Sequence, residues 1–219
     1  MKRIITIDGP VASGKSTISR LLAGRLNYLY LDTGAMYRAV AFQAKRHGAN
    51  LTETSTLREL CRNLDLRFRP DGEKTRVYIG EEDVSLAIRT PEMDMLSSEV
   101  SAIKEVREAM TDLQRKIGQA GNLVAEGRDM GTVVFPNAEH KFFLTASIEV
   151  RAERRLHERI NRGETVSLDE VQKDLKQRDY QDKTRPIAPL RSAKDAIIID
   201  TTTLKPDQVL EKILEEISP

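Results

Sequence analysis

Ile4-Ile5-Thr6-Ile7-Asp8-Gly9-Pro10-Val11-Ala12-Ser13-Gly14-Lys15-Ser16 is the stretch that decides the fold of this chain. Its first part is apolar and β-branched, which predicts a buried strand. Its second part fits the pattern G-x-x-x-x-G-K-[ST], which joins a strand to a helix. The glycines allow a tight turn whose backbone N–H groups point at phosphate oxygens, and the following helix adds its positive end. We therefore predict a site for a nucleoside triphosphate.

The residue types of this loop predict separate roles. Lys15 should reach the terminal phosphates, and the hydroxyl of Ser16 should bind Mg²⁺. The residues predicted to bind the triphosphate are Gly9, Pro10, Val11, Ala12, Ser13, Gly14, Lys15, Ser16 and Thr17. A glycine-rich turn before an ordinary helix is the alternative, but strand, motif and helix stand here in the order that a phosphate loop requires.

Outside the loop, short apolar runs alternate with helical patterns. The runs that predict strands are Ile4–Ile7, Tyr28–Leu31, Leu123–Ala125, Lys141–Leu144 and Ala196–Ile199. The predicted helices begin near Gly14, run from about Ala35 to His47 with Gly48 after the end, follow a capping box at Ser167, and extend from Pro206 towards Ile217. This alternation is typical of the α/β class and predicts a parallel sheet with helices on both faces.

About ninety residues separate the second and third predicted strands, far more than one crossover needs. Leu66–Phe68 and Arg76–Ile79 flank the turn-forming Pro70-Asp71-Gly72, which predicts a β-hairpin. Helical patterns lie on either side, at about 56–64 and 91–118. We predict a single chain, 1–219, with a core at about 1–50 and 119–219 and an inserted α/β subdomain at about 51–118.

The composition of the 219 residues limits the classes of molecule that the chain is expected to bind. The net charge is +1, from 35 basic and 34 acidic side chains, which argues against a nucleic-acid polymer as ligand. Arginines number 22 against 13 lysines, and their forked geometry suits local phosphate sites, although surface ion pairs or genomic bias would give the same excess. No apolar run could span a bilayer, and the N-terminus carries no secretory pattern. With Cys61 as the single cysteine, we expect no intrachain disulfide and a cytoplasmic location. The near-neutral charge and the lack of a heptad pattern predict a monomer.

Two large classes of nucleotide-binding protein lack support in this sequence. No asparagine is followed by lysine, so the Asn-Lys-x-Asp motif with which regulatory GTPases read guanine is absent. The only Asp-Glu pair, Asp169-Glu170, lies at a predicted helix start and not at the end of an apolar strand, where an ATPase motor would carry it.

Charged residues after the second and third predicted strands indicate a second phosphate site. Asp32 and Arg38 lie at the carboxyl end of strand two, where doubly wound sheets bind ligands. Glu126, Arg128 and Asp129 close strand three, where such charges are costly unless paired or functional. Helix capping by Asp32 and a structural ion pair among the others are the plain alternatives.

Arginines recur further along the chain in two helical patterns. Arg151, Arg155, Arg159 and Arg162 share one face of the helix after strand four. Like charges at this spacing repel, so the face predicts either a solvated helix or a lid that brings arginines to a phosphoryl group. Arg178, Asp182 and Arg185 follow near the end of the next helix, as a second acceptor-side set or an intrahelical ion pair.

Taken together, these blocks resemble the bacterial cytidylate kinases. The matching stretches are Ile7–Pro10 with the loop behind it, Asp32–Arg38, Gly127–Pro136, and Arg178-Asp179 through Arg185 to Leu190, and the resemblance covers essentially the whole chain. It implies ATP-dependent phosphorylation of CMP and dCMP with Mg²⁺, a phosphotransferase with a phosphate group as acceptor. It also implies a P-loop kinase fold with a five-stranded parallel core, a monophosphate-binding insert and a short lid within about 147–166.

The resemblance also implies roles for individual residues. The base would be read by Ser98, Arg107 and Asp129, the sugar side would meet Arg178 and Asp182, and the acceptor phosphate would meet Arg38, Arg128 and Arg185. Thr33 and Tyr37 complete the substrate set, Asp32 would hold Mg²⁺ through water, and the catalytic candidates are Lys15, Arg128, Arg151, Arg155 and Arg159. Some relatives have Ser in place of Thr33, where the added methyl could alter the fit of the sugar, and some have Gly in place of Ser16.

The choice of cytosine follows from hydrogen-bond chemistry. Cytosine offers a donor amine at N4 and acceptors at N3 and O2, so a carboxylate and an arginine complement it. Uracil has an acceptor, O4, in place of the N4 amine and a donor, N3–H, in place of the N3 acceptor. It would therefore leave buried polar groups unpaired. Another P-loop kinase acting on UMP, dTMP or a sugar acid, and a nucleotide-binding regulator without an acceptor, are the alternatives.

Overall fold

The computed structural model describes residues 3–71 and 74–217. Within them the strands are β1 (Ile4–Asp8), β2 (Leu29–Asp32), β3 (Leu66–Asp71), β4 (Lys74–Ile79), β5 (Glu82–Asp83), β6 (Leu123–Gly127), β7 (His140–Thr145) and β8 (Ile197–Asp200). Five of them form a parallel sheet in the order β2-β6-β1-β7-β8. Each contains most of one predicted apolar run, so the predicted parallel sheet is confirmed.

The helices lie on both faces of this sheet and above its carboxyl edge. They are α1 (Lys15–Leu26), α2 (Thr33–Arg46), α3 (Thr54–Arg62), α4 (Pro91–Val100), α5 (Lys104–Gly118), α6 (Ile148–Asn161), α7 (Leu168–Thr184) and α8 (Pro206–Ile217), with a π-helical turn at Met130–Val134. The capping box at Ser167 and the proline start of α8 are confirmed. Gly48 has a φ of 62° just past α2, as a left-handed helix terminus requires.

The core strands pair in a register that brings their carboxyl ends together. Ile5 lies beside Val124 and Asp8 beside Gly127, while Asp32 of β2 lies beside Glu126. β1 and β6 are buried along nearly their whole length, as expected of parallel strands covered by helices on both faces. The edge where β1, β2 and β6 end therefore collects charged residues from three strands.

The predicted insert consists of α3, the three-stranded antiparallel sheet β3-β4-β5, α4 and α5. The predicted turn at Pro70-Asp71-Gly72 is wrong in its bounds, because β3 continues through Pro70 and Asp71. Proline is tolerated there because β3 is an edge strand. The predicted turn residue Gly72 lies outside the described residues.

The helical pattern predicted over residues 91–118 divides into two helices. α4 ends at Val100 and α5 begins at Lys104. Arg107, one turn into α5, donates from Nη1 to the carbonyl of Ser101 at 3.1 Å. A carbonyl freed by the break thus finds a side-chain donor, and the break turns Arg107 towards the end of β6, where it meets Asp129.

One apolar cluster joins the insert to the sheet. Leu31 and Val40 from the core pack in the same buried cluster as Leu57, Val106 and Met110 from the insert. A second cluster, on the opposite face, packs α1 and α8 against β1 and β7. The predicted division into core and insert stays a prediction, since the two parts share one hydrophobic core. None of the helices in the described ranges is long and apolar enough to cross a membrane.

Candidate active site

A cleft of about 1150 Å³ opens at the carboxyl edge of the sheet, between the loop before α1, the insert, and helices α6 and α7. The predicted site residues in its lining are Val11, Ala12, Ser13, Gly14, Lys15, Ser16, Thr17, Asp32, Thr33, Tyr37, Arg38, Ser98, Arg107, Arg128, Asp129, Arg155, Arg178, Asp182 and Arg185. The lining does not include Gly9, Pro10, Arg151 and Arg159. Residues from six separate stretches of sequence thus meet around one cleft.

The loop before α1 has the backbone that a phosphate cradle needs. A Cβ on Gly9 would lie 2.2 Å from the carbonyl oxygen of Leu144, so only glycine fits against the neighbouring strand. Gly14 precedes α1 with a φ of 88°, and no side chain caps the helix. The N–H groups of the first turn therefore remain available to an anion.

Lys15 is buried at the base of the loop. Its Nζ donates to the carbonyl of Pro10 at 3.1 Å. Burial, and then the charge of Arg128, lower the pKa of Lys15 to about 7, although Glu126 and Asp182 partly offset them. A phosphate beside Nζ would stabilise the charged form of Lys15 and raise its pKa.

The corner between β2, β6 and α1 carries oxygen donors that suit Mg²⁺. Ser16 donates from Oγ to Oε1 of Glu126 at 2.8 Å. In the described parts of the chain, Oε2 of Glu126 is buried without a partner of good geometry, although Tyr30 lies near the carboxylate. Burial, and then the negative charge of Asp32, raise the pKa of Glu126 to about 7. A cation here would pair with the unpartnered oxygen and lower the raised pKa of Glu126.

This donor set fits magnesium with few protein ligands. No group of three or more His, Cys, Asp or Glu side chains in the described ranges could hold a metal on its own. Mg²⁺ usually keeps several waters and uses one or two carboxylates together with the phosphates of its substrate. Ser16, Asp32 and Glu126 match that pattern beside a phosphate loop.

A buried ion pair lies on the opposite side of the cleft. Asp129, just after β6, accepts from Nη2 of Arg107, and their side chains are only 3% and 4% exposed. Arg185 approaches the other oxygen of Asp129 at 3.4 Å. The guanidinium of Arg107 also lies 5.6 Å from the ring centre of Tyr37. One carboxylate therefore serves two guanidinium groups, and Ser98 of α4 lines the same cleft.

Asp182 organises a second set of arginines at the end of α7. It accepts from Nε of Arg128 at 2.8 Å, and Arg185 lies 3.9 Å away. Burial raises the pKa of Asp182, but the charges of Arg128, Arg185 and Arg178 outweigh it and hold the pKa below its usual range. The side chain of Arg178 lines the cleft without a hydrogen bond or ion pair to any described residue, and burial lowers its pKa. The alternative of a simple intrahelical pair is therefore incomplete, because Arg128 comes from another element.

At the start of α2 the capping interpretation is confirmed. Asp32 accepts from the N–H of Ala35 at 2.8 Å with one oxygen and lies 3.3 Å from Nη2 of Arg38 with the other. Thr33 donates from Oγ1 to the carbonyl of Glu126 at 2.7 Å, which ties α2 to β6. These contacts hold Arg38 at the cleft.

The arginines of α6 do not share one environment. Arg155 and Arg162 face the cleft and both donate to Asp94 of α4, at 2.6 and 3.3 Å. Arg151 instead binds Asp179 at 2.6 Å and donates to the carbonyl of Val11 in the phosphate loop at 3.2 Å. Arg159 binds Glu164 and Asp174, at 2.8 and 3.0 Å. The helical spacing placed them on one face, but their acidic partners separate them.

Glu126 and Asp94 contact predicted site residues but were not themselves among the predicted ones. Glu126 was noticed as a charge at a strand end, and that position was the signal for a role near the metal. Asp94 gave no such signal, because an acid in the first turn of a helix is ordinary. Its role emerges only where α4 meets α6.

Comparisons with solved structures support the fold. The chain superposes on a shikimate kinase from Bacteroides thetaiotaomicron with a TM-score of 0.52 at 15% identity over 98% of both chains. An uncharacterized protein from Eubacterium ventriosum gives a TM-score of 0.54 at 12% identity, again over 98% of both. At such low identity these matches show the fold alone, and they confirm the predicted five-stranded parallel sheet flanked by helices.

Comparisons of sequence show the family. The family model described as cytidylate kinase matches residues 5–219. A cytidylate kinase from Citrifermentans bemidjiense is 51% identical over 95% of this chain and 89% of its own length. Those from Carboxydothermus hydrogenoformans and Pseudomonas fluorescens are 48% and 47% identical, over 96% and 98% of this chain and 95% of their own lengths. The chain therefore belongs to the cytidylate kinase family.

Proposed function

We propose that this protein transfers the γ-phosphoryl group of ATP to the phosphate of CMP or dCMP, giving the corresponding diphosphate. Family membership supports CMP as acceptor and ATP as donor. The observation that carries the assignment is the buried pair of Asp129 and Arg107 in the same cleft as the phosphate loop. A carboxylate beside a guanidinium complements the amine and acceptor edge of cytosine.

Recognition of the base rests on Asp129, Arg107 and Ser98. The Asp129 carboxylate accepts from the N4 amine, while Arg107 donates to N3 and O2. Arg185 contacts Asp129 from the far side and helps to orient its carboxylate. Uracil would place O4 against the carboxylate and N3–H against the guanidinium, so both contacts become repulsive. Arg178 and Asp182 face the sugar, and Thr33 and Tyr37 close the site around it.

The donor binds at the loop of residues 9–17. Backbone N–H groups and the N-terminus of α1 hold the phosphates of ATP, and Lys15 binds the terminal ones. Ser16 would hold Mg²⁺, with Asp32 acting through water and Glu126 behind it. When bound, Mg²⁺ supplies positive charge to the phosphate oxygens.

Transfer needs no covalent intermediate and no strong base, because the attacking phosphate oxygen is already ionised. Positioning and charge neutralisation carry the catalysis. Arg38, Arg128 and Arg185 hold the acceptor, and Arg155 approaches the transferred group from α6. Arg151 and Arg159 act in a supporting way: Arg151 joins the phosphate loop to α7 through Val11 and Asp179, and Arg159 braces α6.

The insert, at about 51–118, carries acceptor-binding residues, and the segment 147–166 serves as a lid. Closure of the two around the nucleotides would keep water from the phosphoryl group. The partners are small nucleotides, and we expect a monomer of 24.7 kDa, which light scattering on the purified protein measures. Because ATP is supplied there, we place the reaction in the cytoplasm.

The test is phosphorylation of CMP, dCMP, UMP, AMP and dTMP in parallel with ATP and Mg²⁺. We expect CDP and dCDP as the main products, with UMP a much poorer acceptor. UMP used at least as well as CMP would refute the role of Asp129. ATP hydrolysis that no monophosphate affects would instead favour a nucleotide-binding regulator.

A further inference from the structure

Asp94 lies on α4 of the insert, and its carboxylate, only 13% exposed, meets arginines from two other elements. It binds Arg155 of α6 at 2.6 Å and Arg162 of α6 at 3.3 Å, and Nη1 of Arg38 from α2 lies 3.9 Å away. The proposed reaction gives Asp94 no task, yet two of these arginines are the ones assigned to the acceptor phosphate and to the transferred group.

The Asp94 carboxylate is surrounded by positive charges, as a bound anion would be. Burial alone would raise the pKa of its carboxyl, but Arg155, Arg38 and Arg178 outweigh burial and hold the pKa below its usual range. Guanidinium groups bind carboxylates and phosphates through the same forked geometry. The Asp94 carboxylate thus occupies arginines in the manner of a phosphate.

Both terminal nitrogens of Arg155 bind carboxylates while these contacts persist. Its Nη2 donates to Asp94, and its Nη1 donates to Glu158 at 2.7 Å. A phosphoryl group that binds both terminal nitrogens in the same forked manner therefore competes with these two carboxylates for Arg155. Glu158 is on the same helix and moves with Arg155, whereas Asp94 is on the insert.

We propose that Asp94 is an internal competitor of the acceptor phosphate: with the cleft empty its carboxylate holds Arg38 and Arg155, and binding of CMP exchanges that carboxylate for the phosphate. This inference rests on the proposed function. The exchange lowers the affinity for CMP, because the ion pairs must break first. It also ties the insert to α6 until a nucleotide arrives.

The test is Asp94→Asn, which keeps the shape of the side chain and removes its charge. We expect the dissociation constant for CMP, measured by calorimetry, to fall about threefold to tenfold, the effect of losing a competing, partly buried ion pair. Cytidine, which lacks the phosphate, should inhibit CDP formation equally in both proteins. Glu92→Gln on the same helix removes an equal charge from an exposed pair with Lys45 and should leave CMP binding unchanged.

A second variant at the same position and a double-mutant cycle with Arg155 test whether the effect comes from the proposed competition. Asp94→Ala should give at least the same gain in affinity, and the gain should shrink when Arg155→Gln is combined with either variant. Thermal unfolding is measured for each protein to show whether the substitution has lowered stability. If Asp94 were merely structural, its removal would weaken CMP binding.

Unchanged or weaker CMP binding in both Asp94 variants would overturn the inference, and so would an equal gain for cytidine or in Glu92→Gln. Wild-type CDP formation is measured in the same series. A wild type that forms no CDP overturns the proposed function and this inference together, whereas a wild type that forms CDP but gains nothing from the Asp94 variants overturns this inference alone.

Discussion

Replacing Asp129 with Asn is the sharpest probe of base recognition. The substitution keeps the volume of the side chain but removes the one negative charge shared by Arg107 and Arg185. All three side chains are buried, with Arg185 only 9% exposed. Two guanidinium groups would then face each other without their common counter-charge.

The substitution should lower both the stability of the protein and its kcat/KM for CMP. Breaking a buried ion pair costs about 3–5 kcal/mol, and since Asn keeps one acceptor oxygen we expect the lower end, about 3 kcal/mol. At about 2–4 °C per kcal/mol for a chain of this size, the melting temperature falls by about 6–12 °C. Loss of a charged partner for the cytosine amine costs a further ~2–3 kcal/mol in kcat/KM for CMP, about 30- to 150-fold.

The assay compares CMP with UMP at saturating ATP, alongside ATP binding by calorimetry. We expect kcat/KM for CMP to fall, the preference for CMP over UMP to shrink because Asn can donate to O4, and ATP affinity to stay near wild type. Asp195→Asn is the matched control. Asp195 binds Lys141 at 2.7 Å without lining the cleft, so neither nucleotide should be affected.

Two results would refute this reasoning. An equal loss of CMP use and ATP binding would mean that Asp129 supports the whole cleft and does not read the base. An unchanged ratio of CMP to UMP activity, in a protein that has lost stability as expected, would assign Asp129 a purely structural role.

The remaining predictions concern charge and burial elsewhere. Because burial lowers the pKa of Lys15 to about 7 and phosphates would raise it, ATP affinity should fall as the pH rises above about 7, with proton uptake on binding; calorimetry in buffers of different ionisation enthalpy measures this, and uptake should vanish in Lys15→Arg. Glu126→Gln should raise the Mg²⁺ concentration for half-maximal activity about tenfold or more, and an unchanged titration would remove Glu126 from the metal corner. Burial raises the pKa of Cys61 to about 12, so iodoacetamide should modify its thiol only as fast as the protein unfolds; rapid labelling of the native protein would contradict this.

Features set by neighbouring residues were readable from the chain alone. The loop at Gly9–Ser16, the capping box at Ser167 and the proline start of α8 all depend on contacts within a few positions. The apolar runs identified the sheet because parallel strands are buried on both faces and cannot tolerate polar interruptions. These patterns were sufficient for the class of fold and for the side of the cleft that binds the donor.

The partners of the arginines could not be read in this way. The pattern over residues 91–118 is helical throughout and does not show the break between α4 and α5. The contact of Arg107 with Asp129, which lies 22 positions further along, appears only in the folded chain. Arg155 and Asp94 lie 61 positions apart and meet because α4 of the insert docks beside α6. Helical spacing shows which face an arginine occupies, but the carboxylate that claims it comes from elsewhere in the chain, and long-range packing alone brings the two together.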